Sequence, residues 1–304
     1  MCGKKRHSEF VRQKYLTKRG NYGIMASLLD AVTLNPARPL DKKEAMKNIA
    51  VVNQKGGQAK TTVSTNLAYA ARESGLRVLL VDLDPQGSAS LIVQPTEGAT
   101  PGLTASALFT DTPNGLMPEV VSPGFSIIRA DKGLQLLTGD DPAQLKMPRK
   151  HLKALGSHFD VCIIDTPGSI ALTPPMTAGA LVAAETAICP FSIGLVEIAS
   201  TMEFLSFFRR IKEEGYNPTL GFLGLLPSKI NTKSRNEMDA LAGLREELGD
   251  QILPVTLAER ASVKQAFMNR KPVWVGTKGA GHRVAGKEWK AAMNMILTKM
   301  GALQ

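Results

Sequence analysis

Cysteine is scarce. The 304 residues hold three, Cys2, Cys162 and Cys189, and no Cys-x-x-Cys pair. That argues against a disulfide framework and for a reducing cytosol, with Cys162 and Cys189 as small buried hydrophobes inside apolar runs. Long hydrophobic runs are missing too. The most apolar region, roughly 169–198, is broken by Pro174, Pro175, Glu185 and Pro190, so it is not read as a membrane span. The first twenty residues are charged, which argues against a secretory signal. Aromatic residues make up 5% of the chain and hardly interleave with the basic residues near its carboxyl end, so stacking on single strands is not indicated. There are no internal repeats and no low-complexity tracts.

Acidic residues are short at both ends. Residues 1–48 carry eleven Lys/Arg against four Asp/Glu, and residues 271–304 carry six against one. The net charge is +10, which leaves the body between them near neutral. Basic ends favour an anionic partner, nucleic acid or a membrane surface; solubilising tails are the plainer alternative. Hydrophobic content of 43% and charged content of 21% are ordinary for a soluble globular chain, and its length allows one large or two small domains.

Residues 1–46 read as a basic extension: a DNA-binding arm, a docking helix or a partly disordered stretch. Short helices are expected over Ser8–Lys18 and Gly23–Val32, and Asn35-Pro36-Ala37-Arg38-Pro39 then breaks the chain. From residue 47 to 304 the pattern is one domain of alternating strand and helix. Apolar strand-like runs fall at Ile49–Val52, Val78–Val81, Ser126–Ile128, Val161–Ile164, Ala187–Cys189 and Leu220–Leu226. Helical stretches fall at Thr62–Glu73, about Ala143–Leu155, about Ala171–Ala184 and Ala199–Glu214. Continuous apolar strands alternating with helices imply an α/β fold, a mostly parallel twisted sheet covered on both faces, with ligand at the carboxyl ends of the strands.

Three motifs carry chemistry. The first runs from the strand at Ile49 through Asn53-Gln54-Lys55-Gly56-Gly57-Gln58-Ala59-Lys60-Thr61-Thr62 into a helix. Strand, glycine loop, Lys-Thr and helix form a phosphate-binding P-loop: glycines let backbone N–H groups approach phosphate oxygens, and the helix N-terminus adds positive potential. Lys60 would reach the β/γ-phosphates, and Thr61 would offer its hydroxyl to Mg²⁺. Two positions depart from G-x-x-x-x-G-K-[ST]: Gln54 replaces the first glycine, and Ala59 stands before Lys60. The second motif is Val78-Leu79-Leu80-Val81-Asp82-Leu83-Asp84-Pro85-Gln86-Gly87, a buried strand delivering two carboxylates. Carboxylates there are costly to desolvate without partners, which the P-loop lysines and Mg²⁺ would supply. The third, Val161-Cys162-Ile163-Ile164-Asp165-Thr166-Pro167-Gly168, is an apolar strand ending in an Asp suited to hold Mg²⁺.

Lys55-Gly56-Gly57-x-x-Lys60-Thr61 followed by Asp82-x-Asp84-Pro85-Gln86-Gly87 resembles the ParA/MinD family of deviant Walker A ATPases, over about residues 48–304. The carboxyl half, with Pro227-Ser228-Lys229 and Pro272-Val273-Trp274, is most similar to plasmid partition ATPases of the IncC type. The resemblance implies that ATP and Mg²⁺ are bound by residues 54–62, with Asp82 supporting the loop and switch region and Asp165 on the metal. It implies that Asp84 positions the attacking water and that Lys55 reaches the nucleotide of a partner subunit. Lys229 and Asn231, after the strand ending near Leu226, are candidates for the adenine, though a polar turn at a strand end is an equal reading. Gly168 stands where the family commonly has a second proline.

The family further implies a nucleotide-dependent homodimer, non-specific binding of double-stranded DNA, slow ATP hydrolysis stimulated by DNA and a ParB-type partner, and a place on the nucleoid. Arg260, Lys264, Arg270 and Lys271, on or beside a helix expected at 261–269, are the DNA-binding candidates. Three other readings stay open. One is a MinD-like membrane switch, for which Trp289, Met293, Ile296 and Met300 form an apolar stripe over Lys287–Met300. Another is a nucleotide-binding module with little hydrolysis because of Ala59. The third, for the basic ends alone, is a pair of solubilising tails.

Overall fold

The computed structural model describes residues 23–30, 46–111, 116–139, 141–276 and 278–303, and for Leu195 the backbone alone. The expected helix at Ser8–Lys18 lies outside the described residues. Residues 23–30 are helical (α1), with Met25 and Leu29 fully buried against the body and Asp30 accepting a 3.2 Å hydrogen bond from Gln251 Nε2.

Eight strands form one sheet: β1 (Lys47–Val51), β2 (Val78–Asp82), β3 (Glu119–Ser122), β4 (Phe125–Ile128), β5 (Val161–Asp165), β6 (Thr186–Phe191), β7 (Gly221–Ile230) and β8 (Leu257–Ala258). Their order is β3-β4-β2-β5-β1-β6-β7-β8, and every pairing except the antiparallel β3–β4 edge is parallel. The helices are α2 (Lys60–Glu73), α3 (Ser88–Ile92), α4 (Met147–Ala154), α5 (Met176–Ala183), α6 (Leu195–Glu213), α7 (Arg235–Leu248), α8 (Ala261–Met268) and α9 (Ala280–Lys299).

The central strands are largely apolar because each feeds two cores. Ala50, Leu79, Val81, Cys162 and Ile164 join the cluster that contains Phe204, Phe208 and Leu244. Ile49, Val51, Val78, Leu80, Val161 and Ile163 join the cluster built with Leu67, Trp289 and Met293. Successive side chains point to opposite faces, so a strand buried on both sides has no room for a polar alternation.

Two expected helices are shorter than their apolar span. Ala171–Ala184 is helical only from Met176, because Pro174 and Pro175 hold the residues before them out of the helical region. Ala143–Leu155 divides into a 3₁₀ turn at Pro142–Lys146 and then α4. Helix α9 buries the stripe of Trp289, Met293, Ile296 and Met300 in the second core, against α2. Among the described residues, no helix is long and apolar enough to cross a membrane.

Candidate functional site

Strand register brings the three motifs together. Val51, the last residue of β1, lies opposite Asp165 at the end of β5, and Asp165 lies opposite Asp82 at the end of β2. The chain therefore delivers the loop after β1 and two carboxylates to one edge of the sheet, where the carboxyl ends of parallel strands leave a crevice.

The loop is set by two left-handed residues. Gly57 has φ 78° and Ala59 φ 65°, ψ 15°, and the Ala59 carbonyl accepts the 2.8 Å bond from Val63 N–H that starts α2. Ala59 thus takes the conformation that glycine would take without strain. Asn53 and Gln58 tie the loop down. Asn53 Nδ2 donates to the Pro190 carbonyl at 2.7 Å, and its Oδ1 accepts from Lys55 N–H and Ser200 Oγ, each at 3.0 Å. Gln58 Oε1 accepts from Ser192 N–H and Oγ at 2.9 and 2.8 Å, so this side chain holds the loop to the end of β6. Gln54 does not line the cavity in front of the loop, and its Oε1 is buried without a hydrogen-bond partner among the described residues.

A cavity of about 420 Å³ opens in front of the loop. Its phosphate end is lined by Gly56, Gly57, Ala59, Lys60, Thr61, Thr62, Asp84 and Gly168. Lys60 is 5% exposed, and Nζ donates 3.0 Å to the carbonyl of Lys55. Burial pushes its ammonium below the ordinary lysine range, against the pull of Asp165 and Asp84. A lysine so placed gains from an anion in the cavity. Gly168 packs on the loop: a Cβ there would lie 3.1 Å from Gly56 N, a contact that a side chain would have to push apart.

Asp165 is fully buried. Oδ1 accepts from Ser64 Oγ at 2.7 Å, while among the described residues Oδ2 has no hydrogen-bond partner, although the Thr61 hydroxyl lies close enough to favour the charged carboxylate. Burial pushes its carboxyl above the usual range, and Asp82 beside it adds to the shift. An orphaned carboxylate oxygen beside Thr61, at the foot of a phosphate cradle, fits a divalent cation held directly or through water. Asp82 is also raised by burial and is spent within its own segment, accepting from Ser90 N–H and Oγ at 2.7 Å and from Asp84 N–H at 3.2 Å. It sets the turn that carries Asp84 into the cavity.

The other expected residues divide. Lys229 lines the cavity from the end of β7 with φ 55°, and its Nζ donates to the Gly57 carbonyl at 2.9 Å. Asn231 does not line it. Its N–H donates to Glu237 and its Oδ1 accepts from Lys233 N–H, so it builds the turn before α7. Arg260 and Lys264 wall the far end of the cavity. Arg260 pairs with Glu288 at 3.0 Å and Lys264 with Glu259 at 3.2 Å. Arg270 and Lys271 are exposed, with no ion pair among the described residues. Lys55 does not line the cavity; it pairs with Glu197 on α6.

The far wall is the part that motif reading missed. Ala258, Val263, Phe267, Met268 and Trp289 close it with apolar surface suited to a flat base. Glu288 holds that wall to α9: Oε1 accepts from Ala258 N–H at 2.6 Å and Oε2 from Arg260 Nη2. In sequence Trp289 belongs to the apolar stripe over Lys287–Met300 and the other apolar residues read as ordinary helix and strand positions, so no local motif marks them as a cavity wall.

Comparison with known proteins agrees with this geometry. A family model described as an AAA domain matches residues 46–222. Protein IncC of Escherichia coli is 32% identical over 265 residues, which cover 86% of this chain and 72% of IncC. The chromosome-partitioning ATPase Soj of Thermus thermophilus is 31% identical over 239 residues, 76% of this chain and 91% of Soj. The ATP complex of McdA from Cyanothece superposes with a TM-score of 0.69 over 86% of this chain and 99% of McdA, at 20% identity, a likeness of fold.

Proposed function

The chain belongs to the ParA/MinD family of partition ATPases, and from that premise we propose that it is a DNA-partition ATPase working as an ATP-dependent sandwich dimer. The observation that carries this reading is the division of labour between two lysines five residues apart. Lys60 is buried in its own cavity, whereas Lys55 stands outside it, 38% exposed, on the outer side of the loop. A lysine in that place is positioned to serve a site other than its own.

In this reading Lys60 and the loop N–H groups hold the β/γ-phosphates, and Lys229 closes the cavity over Gly57. Thr61 and Asp165 would hold Mg²⁺, which neutralises charge on the phosphates. Asp84, at the mouth of the cavity, orients the attacking water. Lys55 of each subunit binds phosphate on the other. Of the proposed DNA contacts, Arg270 and Lys271 carry no ion pair among the described residues, Lys264 is exposed and only loosely paired with Glu259, and Arg260 is the one held by a carboxylate at the cavity wall. A ParB-type partner and DNA raise a slow basal turnover. The apolar stripe that a membrane switch would need lies in the core, which supports DNA over lipid as the anionic surface.

Retention on non-specific duplex DNA, measured with ATP, ADP and no nucleotide across a salt series, tests the reading. Retention only with ATP, lost in Lys60→Ala, is expected, with a slope against log salt that flattens in Arg270→Glu/Lys271→Glu. Retention indifferent to nucleotide would replace the reading with that of a binding module.

A further inference from the structure

Lys55 is half-buried, and it is held. Its Nζ donates to Oε1 of Glu197, in the first turn of α6 of the same chain. The Glu197 carboxyl is kept below the usual glutamate range, chiefly by that hydrogen bond. The contact has a built seat. Glu197 curls back over Gly194, where a Cβ would stand 2.1 Å from Glu197 Oε2. Gly194 has φ 169°, extended backbone that any residue adopts, so glycine supplies space here and not conformation. The start of α6 is also fixed to the loop on either side of the pair. Ser200 bonds Asn53, Asn53 bonds Lys55 N–H, and Ser192 bonds Gln58. Glu197 therefore faces Lys55 from a short, braced distance and not from a swinging arm.

We propose that Glu197 is a positioning residue that parks Lys55 on its own subunit, so that the ATP dimer forms only when each subunit surrenders this pair. The inference rests on the role of Lys55 across the dimer proposed above. A lysine bound to Glu197 cannot at the same time bind phosphate on a partner, so the pair competes with the dimer. An ion pair this exposed reduces the free lysine by about two- to fivefold. Two pairs open per dimer, so the parking weakens dimer formation by about four- to twenty-five-fold.

Sedimentation equilibrium of the full chain with a non-hydrolysable ATP analogue and Mg²⁺ gives the dimer Kd. Glu197→Gln keeps the side chain's shape and removes its charge. Gly194→Ala keeps the charge and drives the carboxylate off its seat. Both are expected to tighten the dimer by about four- to twenty-five-fold, with ADP affinity of the monomer unchanged. A change confined to thermal stability, or a dimer no tighter than wild type in Glu197→Gln, overturns the parking. Should Glu197→Gln not fold, Gly194→Ala decides alone, and an unchanged Kd there overturns it equally. Lys55→Ala separates the two layers. If it blocks the dimer while Glu197→Gln changes nothing, the parking alone has failed. If Lys55→Ala dimerises like wild type, the cross-subunit role has failed and the parking falls with it.

Discussion

Ala59 sits where the general P-loop pattern G-x-x-x-x-G-K-[ST] has glycine, and its backbone shows what that costs. Its φ of 65° and ψ of 15° are left-handed, a region that costs a residue with a Cβ about 1–2 kcal/mol. Glycine would remove the strain but adds about 0.5–1 kcal/mol of chain entropy to the unfolded state. Ala59→Gly is therefore expected to stabilise the protein by about 0.5 kcal/mol, a rise of about 1 °C in Tm for a chain of this length. Ala59→Val should go the other way by about 1–3 kcal/mol, because a branched Cβ is worse in that region. Urea denaturation of the nucleotide-free protein measures both. The same backbone starts α2 through the Val63–Ala59 bond and aims the loop's N–H groups at the cavity. Calorimetric ATP affinity should then improve slightly or stay level in Ala59→Gly and fall in Ala59→Val. Destabilisation of Ala59→Gly by more than about 1 kcal/mol would refute the reasoning, since the methyl would be gaining more in contacts than its backbone loses in strain.

Glu288→Gln should weaken ATP binding about fivefold in a fluorescence titration, because one charge-assisted bond to the Ala258–Arg260 wall is worth about 1 kcal/mol beyond its neutral counterpart; unchanged affinity would mean that the wall is held by packing alone. Arg77 binds Asp160 through Nη2 at 2.7 Å and its own N–H at 2.7 Å, and the pair is half-exposed, so it contributes no more than about 1 kcal/mol. Arg77 depresses the Asp160 carboxyl, so the stabilisation is present above the ordinary aspartate value of 3.8 and is lost as pH falls through the lower folded value. Asp160→Asn should accordingly lower Tm at pH 7 and leave it unchanged at the acid end; an equal loss at both would assign the effect to packing.

The sheet and the loop after β1 are legible in the sequence because both depend on local pattern. Ile49–Val52, Val78–Val81 and Val161–Ile164 are apolar on both faces, and each ends in a residue whose chemistry has no use in a core. The far wall of the cavity was not legible. Val263, Phe267 and Trp289 come from α8 and α9, distant in sequence from the loop, and their apolar side chains look the same in a wall as in a core. Arg260 and Lys264, whose charge suggests DNA, also line the cavity, where they pair with Glu288 and Glu259. Helix α7 was missed despite a capping signal in plain view. Ser234 Oγ accepts from Glu237 N–H at 3.3 Å, and Glu237 reaches back to Asn231 N–H. The same turn consumes Asn231, which the position after a strand had marked for the base. β3 and β8 are edge strands of four and two residues, too short for any period to show.

The central claim is that Lys55 works on the partner's nucleotide while Asp84 works on its own. Mixing two inactive chains tests it directly. Lys55→Ala keeps Asp84 beside its own ATP, and Asp84→Ala keeps a lysine to lend. In a mixed dimer one site regains both groups. ATP hydrolysis by the equimolar mixture, with DNA present, is predicted to rise well above that of either variant alone, toward the activity of one site in four, since random pairing makes half of the dimers mixed and each mixed dimer has one complete site. A mixture as inactive as its parts would contradict the claim, because a Lys55 acting within its own subunit leaves every site in the mixture lacking one group.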